Sequence, residues 1–537
     1  MSGRVRLLPG QLACVFLLLL SQAGLASTPA DTATGTSASS AVPSLPRTVN
    51  AAGMVARLYS AGPAPRWLAN EQEQARLALD LLGDAATHGL DPRRYGADAL
   101  ARRLERLQSG LPDDALERDL STAMLQFMAD LHVGRARSPY RQPPDQTAGI
   151  DLVESLRSAV NERHLKRAVS AAAPAIPLYD RVRSTLAQYR ELARMAPEWP
   201  ALPAAPRPGL VAGTPYAGAA LLHERLGMLG DLAAEATGAH EQVYSAQLAA
   251  AVRRFQFRHG LEEDGVLGPD TLAALSVPLT RRVEQLTLTL ERLRWLPPQP
   301  TGRIVAINVP AFRLWAVDLR DPSSQALEMR VIVGKAAGTP TPLFIGQLRH
   351  LEFNPYWNVP RSIELGEIVP KLARNPQYLQ QNDMELVSTG GLVLSMSGAE
   401  AIGRIRSGTV RVRQRPGATN VLGEVKFAMP NPMNIYLHST SSKELFGRTR
   451  RDLSHGCIRV EHPAELAQFV LADHEQWGAG QVAAAMRPGP TRKVALATPI
   501  PVVLFYATAV TDRAGRALFT DDIYRLDQPL LRALRSD

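Results

Sequence analysis

Apolar residues in this chain change their spacing part-way along. From about residue 50 to about residue 295 they recur every three or four positions, as on one face of a helix; from about residue 302 they alternate or run in short apolar segments, as in strands. Blocks segregated in this way do not share one core. The length of 537 residues also exceeds what one core usually supports, so roughly two to four domains are expected, and 45% hydrophobic residues suffice to fill them.

The N-terminus places Arg4 and Arg6 before an unbroken apolar stretch from Leu12 to Leu20 and then Ala23-Gly24-Leu25-Ala26. That is the order of a secretory signal peptide over residues 1–26, with cleavage after Ala26. Left uncleaved, the segment would be a membrane tether; its apolar run is well short of the ~20 residues that span a bilayer comfortably. Residues 27–48 are rich in Ser, Thr, Ala and Pro and read as a disordered tether.

Residues 49–215 read as an all-helical scaffold domain. Leu77, Leu81 and Leu82 form one helical set and Met124, Phe127, Met128 and Leu131 another, with Asp119 and Ser121 placed to cap it. His88, His132 and His164 have no metal-ligand spacing, and 171–175 and 197–215 are Ala/Pro-rich connectors. Residues 216–278 form a second small helical module. Ser245 caps a helix that carries Leu248, Val252 and Phe255 and ends at Gly260; Asp264-Gly265 turns the chain, and Gly268-Pro269 opens another helix. An amphipathic connecting helix within 279–301 presents Val283, Leu286, Leu290 and Leu293 inward.

Beyond it, Arg303–Val309, Phe312–Asp318, Met329–Val333 and Ile435–His438 read as strands, Pro463–Leu471 as a helix, and Val502–Val510 as an apolar strand that completes a sheet. Residues 361–421 are an insert, with a helical stretch near Ser362–Ala373, and an insert of that length reads as a lid.

The chain has two cysteines, and Cys14 lies in the export segment, so Cys457 is the one thiol of the mature protein. It can be a buried small side chain, a surface thiol or a nucleophile. Its setting, Ser454-His455-Gly456-Cys457-Ile458-Arg459, with His438 nineteen positions earlier in Tyr436-Leu437-His438-Ser439, favours the nucleophile. A glycine beside the thiol lets a reacting carbonyl approach the backbone, and two histidines are available as bases.

These residues resemble the active-site signature of the bacterial L,D-transpeptidases, the cysteine enzymes that cross-link peptidoglycan stem peptides. The match falls at His438, Ser454, Gly456, Cys457 and Arg459 and extends through Asn354-Pro355-Tyr356-Trp357-Asn358-Val359-Pro360 and Leu422-Gly423-Glu424-Val425-Lys426-Phe427. The run Ala251–Gln256 with Asp264-Gly265-Val266-Leu267-Gly268-Pro269 resembles a peptidoglycan-binding-like module, which in such enzymes is either glycan-binding or architectural. The resemblance implies a multidomain fold: an all-α scaffold and a helical peptidoglycan-binding-like module, then a mainly β catalytic domain over 302–530 with a helical lid insert.

It also implies roles. Cys457 would be the nucleophile and His438 the proton donor and acceptor, with His455 supporting or simply a solvated loop residue. Gly456 would donate its backbone N–H to the oxyanion. Tyr436, Trp357 and Ser454 would contact substrate; Arg459 would bind a substrate carboxylate or brace the loop. The reaction implied is a 3→3 cross-link through a cysteine thioester in the periplasm, with donor and acceptor stem peptides as partners. Alternatives are an L,D-carboxypeptidase or cross-link hydrolase, or a noncatalytic wall-binding scaffold. No cofactor or metal is expected, since one cysteine and dispersed histidines make no ligand cluster. The formal charge of +9 suits an anionic polymer or is a solvated basic surface, and no basic run interleaved with aromatics points to nucleic acid.

Overall fold

The computed structural model describes residues 50–536 except 61, 108–111, 141–149, 233–241, 298–301, 322 and 324. The expected export signal with Cys14 and the expected tether lie outside the described residues.

The scaffold is built around the helix Asp114–Val133, whose Leu116, Leu120, Met124, Phe127, Met128 and Leu131 pack into one core with Leu82 and Leu156. Its cap is Asp113, whose carboxylate accepts from the Leu116 N–H at 2.9 Å. Asp119 and Ser121, expected as caps, therefore sit inside the helix. Ser121 is fully buried there and its hydroxyl accepts from the Trp67 indole at 2.8 Å.

In the second module Ser245 accepts from the Leu248 N–H at 3.2 Å and opens the helix Ala246–Arg258, and the next helix is Pro269–Leu275. Leu248, Val252 and Phe255 lie in one core with Tyr244 and Leu267.

The connecting helix, Leu279–Arg294, is buried well beyond its apolar face, contrary to the amphipathic expectation. Glu291 pairs with Arg294 at 3.0 Å and accepts from the backbone N–H groups of Arg135 and Ala136. Arg292 pairs with the fully buried Asp527 at 2.6 Å. Its charged residues are inside because each meets an opposite charge or a backbone dipole from the parts that enclose the helix.

The β region is one sheet in the order Asp452–Ser454, Leu327–Gly334, Ile458–Val460, Leu437–His438, Val425–Ala428, Ile345–Phe353, Arg492–Phe505, Arg303–Asn308, Arg313–Asp318. The last strand pairs back onto Leu327–Gly334, so the sheet closes on itself. The late apolar strand begins at Arg492, ends at Phe505 and runs inside the sheet between Ile345–Phe353 and Arg303–Asn308. Residues Ala509–Thr511 instead pair with Ala517–Phe519. Side chains of period two fill the interior: Val305, Ile307, Leu314, Val331, Leu351, Phe353, Phe427, Leu437, Ile458 and Val460 share one core.

The insert carries the expected helical stretch, which includes Val369–Arg374, and also a further helix, Gly398–Ser407, and a sheet ordered Trp357–Asn358, Val410–Gln414, Met384–Ser388, Val393–Leu394. It has its own core of Val359, Ile368, Leu372, Leu386, Ala401, Ile405 and Val412. The buried Glu364 ties helix to strand, accepting from Arg411 Nε at 2.9 Å and the Val412 N–H at 2.8 Å. No helix among the described residues is long and apolar enough to cross a membrane.

Candidate active site

Strand register decides which side chains meet. Leu437 lies opposite Ile458 and His438 opposite Arg459 in a parallel pair, and Lys426 lies opposite His438 in the neighbouring antiparallel pair. Leu437, Ile458, Val460 and Phe427 point into the core. Alternation then sends His438, Arg459 and Lys426 to the opposite face, together with Glu352, the register partner of Lys426, while Cys457, just before its strand, packs partly against the core. Their contacts agree. The Tyr436 ring meets His438 edge to face at 5.7 Å, Lys426 Nζ lies 5.0 Å from the Tyr436 ring centre, and Lys426 pairs with Glu352 at 3.2 Å.

A cleft of about 950 Å³ opens over this face. One wall is the sheet, with Lys426, Glu352, Tyr436 and His350; the other is the insert and its approach, with Trp357, Arg361, Ser388 and Arg413. Cys457 meets the cleft through Asn434 and Tyr436, which line it and touch the thiol. Sγ lies 3.6 Å from the Asn434 carbonyl, and the Tyr436 hydroxyl and backbone N–H both engage the sulfur.

Burial pushes the Cys457 thiol above the ordinary cysteine range, against the opposing pull of Tyr436, Lys426 and Arg459. Burial, seconded by Arg459, holds His438 down to about 3. The resting pair is accordingly a neutral thiol and a neutral imidazole, which suits proton transfer during attack rather than a standing thiolate. No hydrogen bond joins the two in this arrangement. His438 Nδ1 lies 2.5 Å from the Ser439 carbonyl, and the Leu422 carbonyl also engages the ring.

The remaining expected residues fall differently. Ser454 is 2% exposed, and its hydroxyl donates to the Cys457 carbonyl at 2.6 Å and accepts from the Gly456 N–H at 3.1 Å. It braces the loop instead of facing substrate, and it occupies the Gly456 N–H that was expected to hold the oxyanion. Gly456 has φ +111°, which explains the glycine. His455 reaches out to the insert, where Nε2 lies 2.6 Å from Glu367, itself paired with Lys371 at 3.3 Å. Arg459 Nε is buried without a hydrogen-bond partner among the described residues. Trp357 and Tyr436 line the cleft while packing against the insert's core. Among the described residues no group of three or more His, Cys, Asp or Glu could hold a metal ion.

Sequence reasoning passed over Lys426, Glu424 and Glu367. The first two lie inside the segment Leu422–Phe427 that carried part of the resemblance, so a period-two reading of that strand could have placed Lys426 beside His438. Glu367 lies 88 residues from His455 and has no local signal.

Residues 302–502 match the profile of YkuD, the L,D-transpeptidase catalytic domain; residues 54–186 match a scaffold domain, and 220–275 a domain described as "Putative peptidoglycan binding domain". A curated protein of Haemophilus influenzae, described as "Putative L,D-transpeptidase", is 30% identical over 247 residues, 46% of this chain and 49% of its own length. The chain thus spans about half of the curated relative it matches. Among solved structures, an L,D-transpeptidase of Stackebrandtia nassauensis aligns at 14% identity and a TM-score of 0.23, over 56% of this chain and 97% of its own. One of Xylanimonas cellulosilytica aligns at 18% and 0.17, over 56% and 100%. Likeness of that degree carries no weight for the site, which rests on the register above. Residues 302–502 thus match the L,D-transpeptidase catalytic-domain family, in a multidomain chain that also matches a scaffold domain and a peptidoglycan-binding domain.

Proposed function

We propose that this protein is a peptidoglycan L,D-transpeptidase that forms 3→3 cross-links in the periplasm through a thioester on Cys457. Support comes from one observation above all: strand register sets His438 beside Arg459, Tyr436 and Cys457 stand just before those two strands, and Tyr436 lines a cleft walled by the insert. Cys457 Sγ attacks the carbonyl of the third residue of a tetrapeptide stem while His438 takes the thiol proton. The oxyanion is held by the Cys457 N–H. Collapse breaks the amide bond, and His438 returns the proton to the departing D-alanine amine. The side-chain amine of a second stem, losing its proton to His438, then attacks the thioester; the new amide forms and the sulfur leaves and is reprotonated.

In this reading Tyr436 steadies the developing thiolate through its hydroxyl, Trp357 lines the donor site, and Arg459 binds a stem carboxylate. Residues 361–421 cap the donor and keep water from the thioester, favouring the amine acceptor over hydrolysis. The domain limits proposed are 49–215 for the scaffold, 216–278 for the glycan-facing module and 302–530 for catalysis, with residues 1–26 as export signal. Incubating the protein with purified tetrapeptide muropeptides and reading products by mass spectrometry tests the proposal. A 3→3 dimer with released D-alanine is expected; tripeptide alone would make the protein an L,D-carboxypeptidase, and unchanged substrate would refute the activity.

A further inference from the structure

Behind His438 lies a second line of residues that the transfer chemistry above does not use. A carbonyl oxygen only accepts, so the ring nitrogen facing the Ser439 carbonyl at 2.5 Å carries the hydrogen, and in a neutral imidazole the other nitrogen is left as the base. The aim of His438 therefore depends on the Ser439 peptide. Ser439 is fully buried, its N–H donates to the Val425 carbonyl at 2.9 Å, and its hydroxyl donates to the carboxylate of Glu424. Among the described residues nothing else accepts that hydroxyl.

Glu424 is itself fixed. Its backbone carbonyl accepts from the Asn354 N–H at 2.8 Å, and its other carboxylate oxygen faces Lys443 at 3.3 Å. The preceding residue must be small, because a Cβ on Gly423 would stand 2.6 Å from Ser439 Oγ and 2.8 Å from the Thr440 nitrogen, at a φ of +62°.

We propose that Glu424 is a positioning residue for the transfer reaction: its carboxylate anchors Ser439, and the Ser439 carbonyl in turn fixes the tautomer and aim of the His438 ring. The His438 motif has no carboxylate within a few residues, and this one arrives from the turn that leads into the adjacent strand, fourteen positions before the histidine. Its place is that of the orienting acid in a catalytic triad, with one serine interposed. The inference rests on His438 being the base.

The test compares acylation of Cys457 by a carbapenem, followed by intact mass, and steady-state turnover of tetrapeptide, in the full chain. Glu424→Leu, similar in size but without an acceptor, should slow acylation and lower kcat about 10–100-fold with KM little changed. Glu424→Gln, which keeps an acceptor for the Ser439 hydroxyl, should recover to within about threefold of wild type. Ser439→Ala should lose as much as Glu424→Leu, and the double variant should be no worse than the more impaired single one, since both break one line of contacts. A folded Glu424→Leu or Ser439→Ala protein with the wild-type rate overturns the proposal, as does a Gln variant as impaired as Leu. Should Glu424→Leu fail to fold, Ser439→Ala and Glu424→Gln decide by the same criteria. His438→Ala separates the two levels: if it still acylates, the assignment of the base has failed and not merely the role of Glu424.

Discussion

Gly334 has no side chain and lies 123 positions before the thiol, yet a single methyl group there should cripple the enzyme. It ends the strand Leu327–Gly334 and pairs with Ser454 beneath the loop that carries Cys457. Its N–H donates to Thr341 Oγ1 at 2.8 Å, and the same hydroxyl donates to the Gly456 carbonyl at 2.8 Å. A Cβ on residue 334 would overlap the Thr339 carbonyl and stand 2.7 Å from the Thr341 nitrogen and 2.9 Å from Gly456 Cα. All three are backbone atoms, so no side chain can swing aside. Carbon atoms pack at about 3.5 Å, so Gly456 would have to recede by roughly 0.6 Å, taking the Cys457 N–H and sulfur with it. Overpacking of this kind costs about 1–3 kcal/mol of stability, and a misplacement approaching 1 Å at a reacting centre costs on the order of 10²-fold in rate. Gly334→Ala should therefore lower the thermal midpoint modestly and slow carbapenem acylation of the folded protein by roughly 30–100-fold. A folded Gly334→Ala protein that acylates at the wild-type rate would refute the placement of the nucleophile loop.

Two further outcomes follow from the electrostatics and the insert. With His438 held down to about 3, the base stays neutral through the mildly acidic range, so acylation should show no inflection near 6.5 between pH 5 and 7.5, where an ordinary histidine titrates; an inflection there would mean that the imidazole is not buried as described. The same depressed value means that the unfolded chain binds this proton first, so His438 weakens the folded domain as pH falls from about 6.5 toward 3, by at most about 1.4 kcal/mol per pH unit, visible in the slope of stability against pH and lost in His438→Gln. The His455–Glu367 contact is more than a third exposed on both sides, so Glu367→Gln should cost less than about 1 kcal/mol of stability. It should nevertheless loosen the insert over the loop, raising the ratio of tripeptide to cross-linked dimer; an unchanged ratio would leave that contact without a role in capping.

What the sequence made legible follows from range. The nearness of His438 to Cys457 was legible through the motif they match, and the structure adds the register that sets His438 beside Arg459. The Ser245 cap and the Pro269 helix start were legible because capping is decided within three residues. The burial of Arg292 and Glu291 was not, since their partners Asp527, Arg135 and Ala136 lie 155 or more positions away. The insert's sheet was overlooked although Val410-Arg411-Val412-Arg413 alternates, because five-residue strands compete poorly with the helical signal beside them. Ser454 and Gly456 matched a motif that names residue types and not their partners, and the hydrogen bond between them assigns both to bracing the loop.

The central claim is that Cys457 carries the acyl group. Protein quenched during turnover of a tetrapeptide stem should show by intact mass an adduct of the substrate less D-alanine, and proteolysis should place it on the peptide containing Cys457, with Cys457→Ala showing none. An adduct on any other residue, or a dimer formed at the wild-type rate by Cys457→Ala, would contradict the account.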